Sequence, residues 1–260
     1  MMNTERLPGK PYDLFLQGMR QGWTQKRDMD ILATLHKFRF VSFSDLVKLY
    51  FPSKAGDSAA RRRLLKLYRW RLVDRCRQWA PEGPTEYIYM LDDVGAYFLA
   101  AYLQKQVEEL GWRKRDNQVK LAYVRQYLAA MRLYLELRKQ VALVHFEPEY
   151  TLKGEGYYFR PDAYAVFIKG KYEYRVFFEV DMGTEGQQKI QEKIKSYEAY
   201  YRANARPGFI MPYIIFVADK EERVRKLEAW VEKSRTIKAL QYQFWTFGEL
   251  MRAWTAKGVS

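Results

Sequence analysis

Cysteine and histidine are almost missing from this chain: its 260 residues hold one cysteine, Cys76, and two histidines, His36 and His145. A disulfide framework within the chain and a structural Cys/His zinc site are excluded by that count. It also weighs against a Ser-His-Asp triad and against a three-histidine metal cluster behind a nucleophilic tyrosine, although 21 tyrosines are present. Any metal must be held by oxygen. No apolar stretch approaches the ~20 residues needed to span a bilayer. The opening MMNTERLPGKPYD lacks the apolar run of a signal peptide, so the expected address is cytoplasmic, with no membrane partner.

What is present describes a folded protein. Apolar residues make up 48% and aromatics 17%, which argues against disorder, and the length suits two modest domains or one large one. Lys and Arg number 45 against 31 Asp and Glu, a formal +14, so the surface should attract polyanions, with nucleic acid ahead of anionic membrane. The excess is uneven. Residues 1–140 carry 26 basic against 15 acidic residues and the remainder 19 against 16. Lys54 to Arg77 is the densest run, with nine basic residues against Asp57 and Asp74. No repeat of 20–50 residues and no low-complexity tract appears.

In the basic half, Ile31, Leu32, Leu35 and Phe38 fall at helical spacing within 25–38, and Ser42 is placed to cap a second helix, 43–50. A third helix is expected over 59–70, with Leu64, Leu65 and Leu67 inward and arginines on its other faces. Residues 72–79 and 87–91 then flank Pro81-Glu82-Gly83-Pro84, a hairpin signal. Three helices and a hairpin make a winged helix-turn-helix, whose third helix enters a major groove beside the wing. Arg61, Arg62, Arg63, Lys66, Arg69, Arg75 and Arg77 are the candidate DNA-binding residues, against the plainer reading of a solvated helix face.

Residues 92–110 and 117–141 both read as helices, with a linker at 111–116. Beyond them, 143–152, 157–168 and 172–181 are rich in aromatic and β-branched residues and separated by glycine turns, so they read as three successive strands. A helix at 184–203 and a strand at 213–218 follow; Leu227 to Trp230 belongs to a further helix and 242–245 to a last short strand. The expected division is an N-terminal arm 1–24, a winged helix 25–110, the linker 111–116 and a second domain 117–260. Arg160-Pro161-Asp162-Ala163 falls inside the second strand, and Phe178-Glu179-Val180-Asp181 ends the third. Period-two alternation puts Glu179 and Asp181 on one face. Converging buried carboxylates call for a cation, a shared proton or a basic partner.

The α-β-β-β-α-β order, with Pro161-Asp162 in one strand and Glu179-x-Asp181 ending the next, resembles a PD-(D/E)XK nuclease core. The wording is closer still to the replication-relaxation proteins of plasmids and mobile elements. There a winged helix precedes a strand like Phe159-Arg160-Pro161-Asp162-Ala163, then a segment like Phe178 to Thr184, then a helix with Lys193 and Tyr197. The resemblance implies an α+β chain: a winged helix followed by a restriction-endonuclease-like domain. It implies that Asp162 and Glu179 bind Mg²⁺ or Mn²⁺, with the Val180 carbonyl as a further ligand and Glu136 or Glu149 completing the set. Where the nuclease motif has lysine, this chain has Asp181, and Lys193 is the substitute. Asp162, Glu179, Asp181 and Lys193 are thus the candidate catalytic residues, and duplex DNA, a second copy of the chain, and replication or mobilisation proteins the candidate partners. The rivals are a DNA-binding initiator or regulator with a degenerate second domain, and a charge-recruited membrane or assembly protein.

Overall fold

Helix starts in the first half follow from capping groups in the computed structural model, which describes residues 5–53, 56–80, 83–183 and 185–255. Pro11 opens α1 (Pro11–Gln21), where its missing N–H costs nothing. At α2 (Lys26–Phe38) the Asp28 carboxylate accepts the Gln25 N–H at 2.7 Å. Ser42 ends the short β1 (Val41–Ser42), and its Oγ accepts the Asp45 N–H at 3.1 Å to start α3 (Phe43–Tyr50). Next come α4 (Gly56–Arg69), β2 (Val73–Ala80), β3 (Gly83–Leu91) and α5 (Asp93–Tyr102), the last capped by Asp92. β3 lies between β1 and β2, antiparallel to both, with Val73 opposite Leu91 and Cys76 opposite Ile88. Ile31, Leu32, Leu35, Phe38, Leu46, Leu64 and Leu67 make the core of this unit.

Several expectations need revision. Pro81 and Glu82 of the anticipated turn lie outside the described residues, as do Lys54, Ala55 and Thr184. The supposed arm contains α1, whose Phe15 packs edge-on to Phe98 of α5 at 5.1 Å between ring centres. Residues 92–110 form α5 and a separate 3-10 turn, Val107–Leu110, because Gln104 turns left-handed at φ 57°. The chain divides into compact units Met1–Met131 and Arg132–Ser260, a division that falls within α6 (Leu121–Gln140).

In the second unit the order is β4 (Ala142–Pro148), β5 (Leu152–Gly154), β6 (Tyr157–Phe159), β7 (Ala163–Lys169), β8 (Tyr172–Asp181), α7 (Gln187–Asn204), β9 (Tyr213–Ala218), α8 (Glu221–Ser234), β10 (Tyr242–Thr246) and α9 (Phe247–Thr255). A five-stranded mixed sheet runs β10-β9-β8-β7-β4, antiparallel from β4 to β8 and parallel from β8 to β10. The single strand expected over 157–168 is two. Pro161 has no N–H for a ladder, so β6 pairs with β5 in a small hairpin and β7 begins only after Asp162. On one face Phe177, Ile214 and Phe216 pack against Ile190, Ile194 and Tyr197 of α7 and Leu227 and Val231 of α8. α9 was not expected, although Thr246-x-x-Glu249 is a capping box: Thr246 Oγ1 accepts the Glu249 N–H at 3.1 Å, and Glu249 accepts that of Thr246 at 2.9 Å. Among the described residues no helix is long and apolar enough to cross a membrane.

Candidate functional site

The arginines of α4 divide by direction. Arg63 turns inward: its Nε lies 2.9 Å from Asp28 Oδ1, and its Nη2 bonds Asp28 Oδ2 and, at 2.9 Å, the Trp23 carbonyl. Asp28 is fully buried, so Arg63 neutralises a charge that the core cannot tolerate alone. Arg61 and Arg62 are exposed, Arg61 over the Phe43 ring at 4.6 Å, and Lys66 is exposed over Trp70 at 4.5 Å. Arg69 sits half-buried with its Nε enclosed. On β2, Arg75 stacks between Tyr68 (4.4 Å) and Tyr87 (4.2 Å), and Arg77 lies over Tyr87 at 4.0 Å. Arg61 and Arg75 both act on the buried Tyr89 hydroxyl, whose pKa burial raises against their pull. Helix and hairpin therefore present one cationic, aromatic-backed surface, with Arg63 spent on the core.

In the second unit the ladder between β7 and β8 pairs Ala163 with Phe178, so its next step brings Asp162 beside Glu179. Asp162 Oδ2 accepts the Val180 N–H at 2.7 Å. Its carboxylate is enclosed although the residue keeps some exposure, and that burial pushes its pKa up to about 7, with Glu179 adding to the rise and Lys193 opposing it. Glu179 is 1% exposed and both its oxygens are engaged: Lys193 Nζ donates to one and the Tyr197 hydroxyl to the other, each at 2.7 Å. Lys193 and Tyr197 are four residues apart on α7 and so share a face. Lys193 Nζ also lies 2.8 Å from Glu185. Burial works against the lysine's charge, yet Glu179, Asp162 and Glu185 outweigh it and hold the ammonium above the usual lysine range. The Tyr197 phenol is kept neutral, its pKa raised by burial and by Glu179.

Not every expected residue joins this centre. Asp181 shares the face of Glu179, but its carboxylate is taken by Arg223 of α8 (Nε 3.1 Å, Nη2 2.6 Å) and by the Gly183 N–H. Glu149 pairs with Arg160 at 3.4 Å, although its N–H bonds the Asp162 carbonyl at 2.9 Å. Glu136 pairs with Lys139 on its own helix at 2.8 Å. Val180 buries its side chain on the opposite face. Among the described residues no three acidic, histidine or cysteine side chains form a ligand group. Asp162 and Glu179 are the two adjacent carboxylates that such an ion would use, as Mg²⁺ and Mn²⁺ are commonly held by one or two carboxylates with a substrate's phosphate oxygens, and both Glu179 oxygens are here taken by Lys193 and Tyr197. Glu185 escaped the sequence reading. It lies in a loop after β8, where no periodicity applies, and a lysine four residues on, Lys189, was the only local hint.

Compared with known proteins, the chain matches the model of the replication-relaxation family over residues 32–211. None of the curated proteins matches it. None of the solved structures does either.

Two stability measurements check this geometry. Arg63→Ala strands the buried Asp28 and should cost about 3 kcal/mol in urea denaturation, whereas Arg62→Ala should stay within about 0.5 kcal/mol; equal effects would refute the inward assignment. Folded Asp162 holds its proton to about pH 7, an unfolded aspartate only to about 4, so between these values this group binds more proton in the folded state and its contribution to stability falls as pH rises. Asp162→Asn keeps an acceptor for Val180 and removes that dependence. Relative to the parent, its urea midpoint should improve from about pH 4.5 to about pH 7.5. A constant difference would contradict the raised pKa.

Proposed function

The chain belongs to the replication-relaxation family, and from that premise we propose that it acts in replication or relaxation of plasmid or mobile-element DNA, gripping the duplex through its N-terminal unit. The order α2-β1-α3-α4-β2-β3, with β3 central in its sheet, supports a winged helix in which α4 enters the major groove and the β2–β3 hairpin is the wing. The observation that carries the reading is the shared cationic face of Arg61, Arg62 and Lys66 on α4 with Arg75 and Arg77 on β2. Stacking on Tyr87 holds two guanidiniums ready before DNA arrives, reducing the entropy lost on binding. Each cation that neutralises a phosphate releases counterions, which makes the grip salt-dependent. Replacing Arg61, Arg62 and Lys66 with alanine should weaken duplex binding at least tenfold and flatten the salt slope by about 2–3 units. Unchanged affinity and slope in fluorescence anisotropy would reject α4 as the DNA-contacting helix.

For the second unit the favoured chemistry is metal-dependent phosphodiester hydrolysis that nicks DNA. Asp162 and Glu179 would hold Mg²⁺ or Mn²⁺, with the Val180 carbonyl as a further oxygen. Such an ion polarises phosphate and lowers the pKa of water. Lys193 brings to this place the positive charge that Asp181 does not supply from β8. Its ammonium, kept protonated by three carboxylates, is suited to steady negative charge developing on phosphate. Tyr197 orients Glu179, and the Asp181–Arg223 pair anchors α8 to the end of β8. The non-catalytic alternative, an initiator or regulator, draws on one observation: both Glu179 oxygens are already satisfied inside the protein. A supercoiled-plasmid assay with Mg²⁺ or Mn²⁺ separates the two. The parent should produce nicked circles, and Asp162→Asn, Glu179→Gln and Lys193→Met should each lower the rate at least a hundredfold. A parent that leaves the plasmid intact, or nicking that survives these changes, would leave only the DNA-binding role.

A further inference from the structure

Beside the acidic centre, on the same face of the sheet, is a cavity of about 400 Å³ that the chemistry above does not use. Its walls are aromatic and its rim is cationic. Tyr150 stacks on Tyr164 at 4.8 Å, Tyr164 meets Phe177 at 5.2 Å, and Tyr200 stands edge-on to Phe177 and to Phe209, each at 5.9 Å. Arg175 and Arg206 complete the lining, and no acidic side chain is part of it. Arg175 has a surface partner, Glu173, at 2.8 Å; Arg206 is exposed and forms no ion pair among the described residues. Ile210, also at the cavity, is 72% exposed, an apolar group offered to solvent.

A core has no need of this combination. Rings that only filled space would pack without a void, and guanidiniums set around an aromatic hollow suit a ligand that has both a π-face and an anion. Nucleotides have both. The volume suits one such unit, and the bases of a duplex, already stacked on one another, offer these rings no free face. Position agrees with size. Tyr164 and Phe177 follow Asp162 and precede Glu179 by two residues on the same strand faces, a spacing of ~7 Å. That is about the distance from one nucleotide to the next along an extended strand.

We propose that this cavity receives one unstacked nucleotide of a single DNA strand, its base against Tyr164 and Tyr200 and its phosphate toward Arg206 and Arg175. The inference deepens the reading that the C-terminal unit works on DNA, by giving that unit a preference for a locally opened strand. The base is held by stacking, which every base can offer, so the site takes any sequence. Arg206 recognises the phosphate by charge-assisted hydrogen bonds.

The test uses the full chain in EDTA, so that binding is read without cleavage. The probes are a short thymidine oligonucleotide with one 2-aminopurine, the same strand with an abasic site in that place, free thymidine monophosphate, and a duplex of equal length. The parent should quench 2-aminopurine on binding the single strand, and it should bind the abasic strand and the mononucleotide roughly tenfold more weakly. Arg206→Glu, at an exposed position where folding is not at risk, and Tyr200→Leu should each weaken single-strand binding about tenfold while duplex affinity stays at the parent value. The variant lacking Arg61, Arg62 and Lys66 should keep its quenching. The proposal is overturned if Arg206→Glu binds the single strand like the parent, or if the abasic strand binds equally well. Mononucleotide binding as tight as that of the oligonucleotide would assign the cavity to a free nucleotide and overturn the strand. Loss of plasmid nicking with quenching intact would remove the cleavage reading alone.

Discussion

A carboxylate enclosed by an apolar core must be answered by a cation or by a proton, and that constraint organises both units. Asp28, Asp92, Glu179 and Asp181 are all buried. Arg63 answers the first and Arg6 and Lys114 the second; Lys193 and Arg223 answer the other two. Removing one partner from such a pair leaves a bare charge in a low dielectric, so each pair ties together the elements that carry it. Arg63 locks α4 to α2, and Arg223 locks α8 to the end of β8. Asp162 is answered differently: beside Glu179 it shares the field of Lys193, and the rest of its charge is relieved by a raised affinity for a proton.

The same constraint sorts the basic residues into two populations. Cations consumed by buried acids hold the fold, and they cannot also neutralise phosphate. Those left on the surface are backed by rings: Arg61 by Phe43, Lys66 by Trp70, and Arg75 and Arg77 by Tyr87. An aromatic face stabilises a cation without neutralising it, so these side chains keep their charge for an external anion while losing some rotational freedom. A net charge of +14 is therefore a poor measure of the cationic surface; what matters is which guanidiniums remain outside after the core has taken its share.

In the second unit the sheet brings polar and aromatic chemistry to one face. Tyr164 and Phe177 lie on that face with Asp162 and Glu179, because alternation repeats every two residues. α7 covers the acidic end with Lys193 and Tyr197, while its C-terminal turn contributes Tyr200 to the aromatic end. One helix thus lines both the charged centre and the cavity beside it. Lys193 of α7 meets Glu179 and Glu185, while Asp181, at the end of β8, is taken by Arg223 and so anchors α8.

Local periodicity carried much of this in the sequence. Spacing of 3.6 marked the cores of α2 and α4, alternation marked β8, and the glycine and proline turns marked the hairpins, because each depends only on near neighbours along the chain. The adjacency of Asp162 and Glu179 was implied by the resemblance of their two motifs to a known family; the β7–β8 register that brings them together came from the structure. Elsewhere tertiary structure decided. Arg63 reads no differently from Arg61 and Arg62 until α2 is packed against it, and Asp181 reads like a member of the acidic centre until Arg223 arrives from 42 residues away. Glu185 and the aromatic cavity depend on loops that have no period. The amino-acid order determined which charges and rings exist and which face of each element they occupy; only the packed chain decided which charges cancel one another and which are left to meet a ligand, because that choice is made by contacts between segments far apart in sequence.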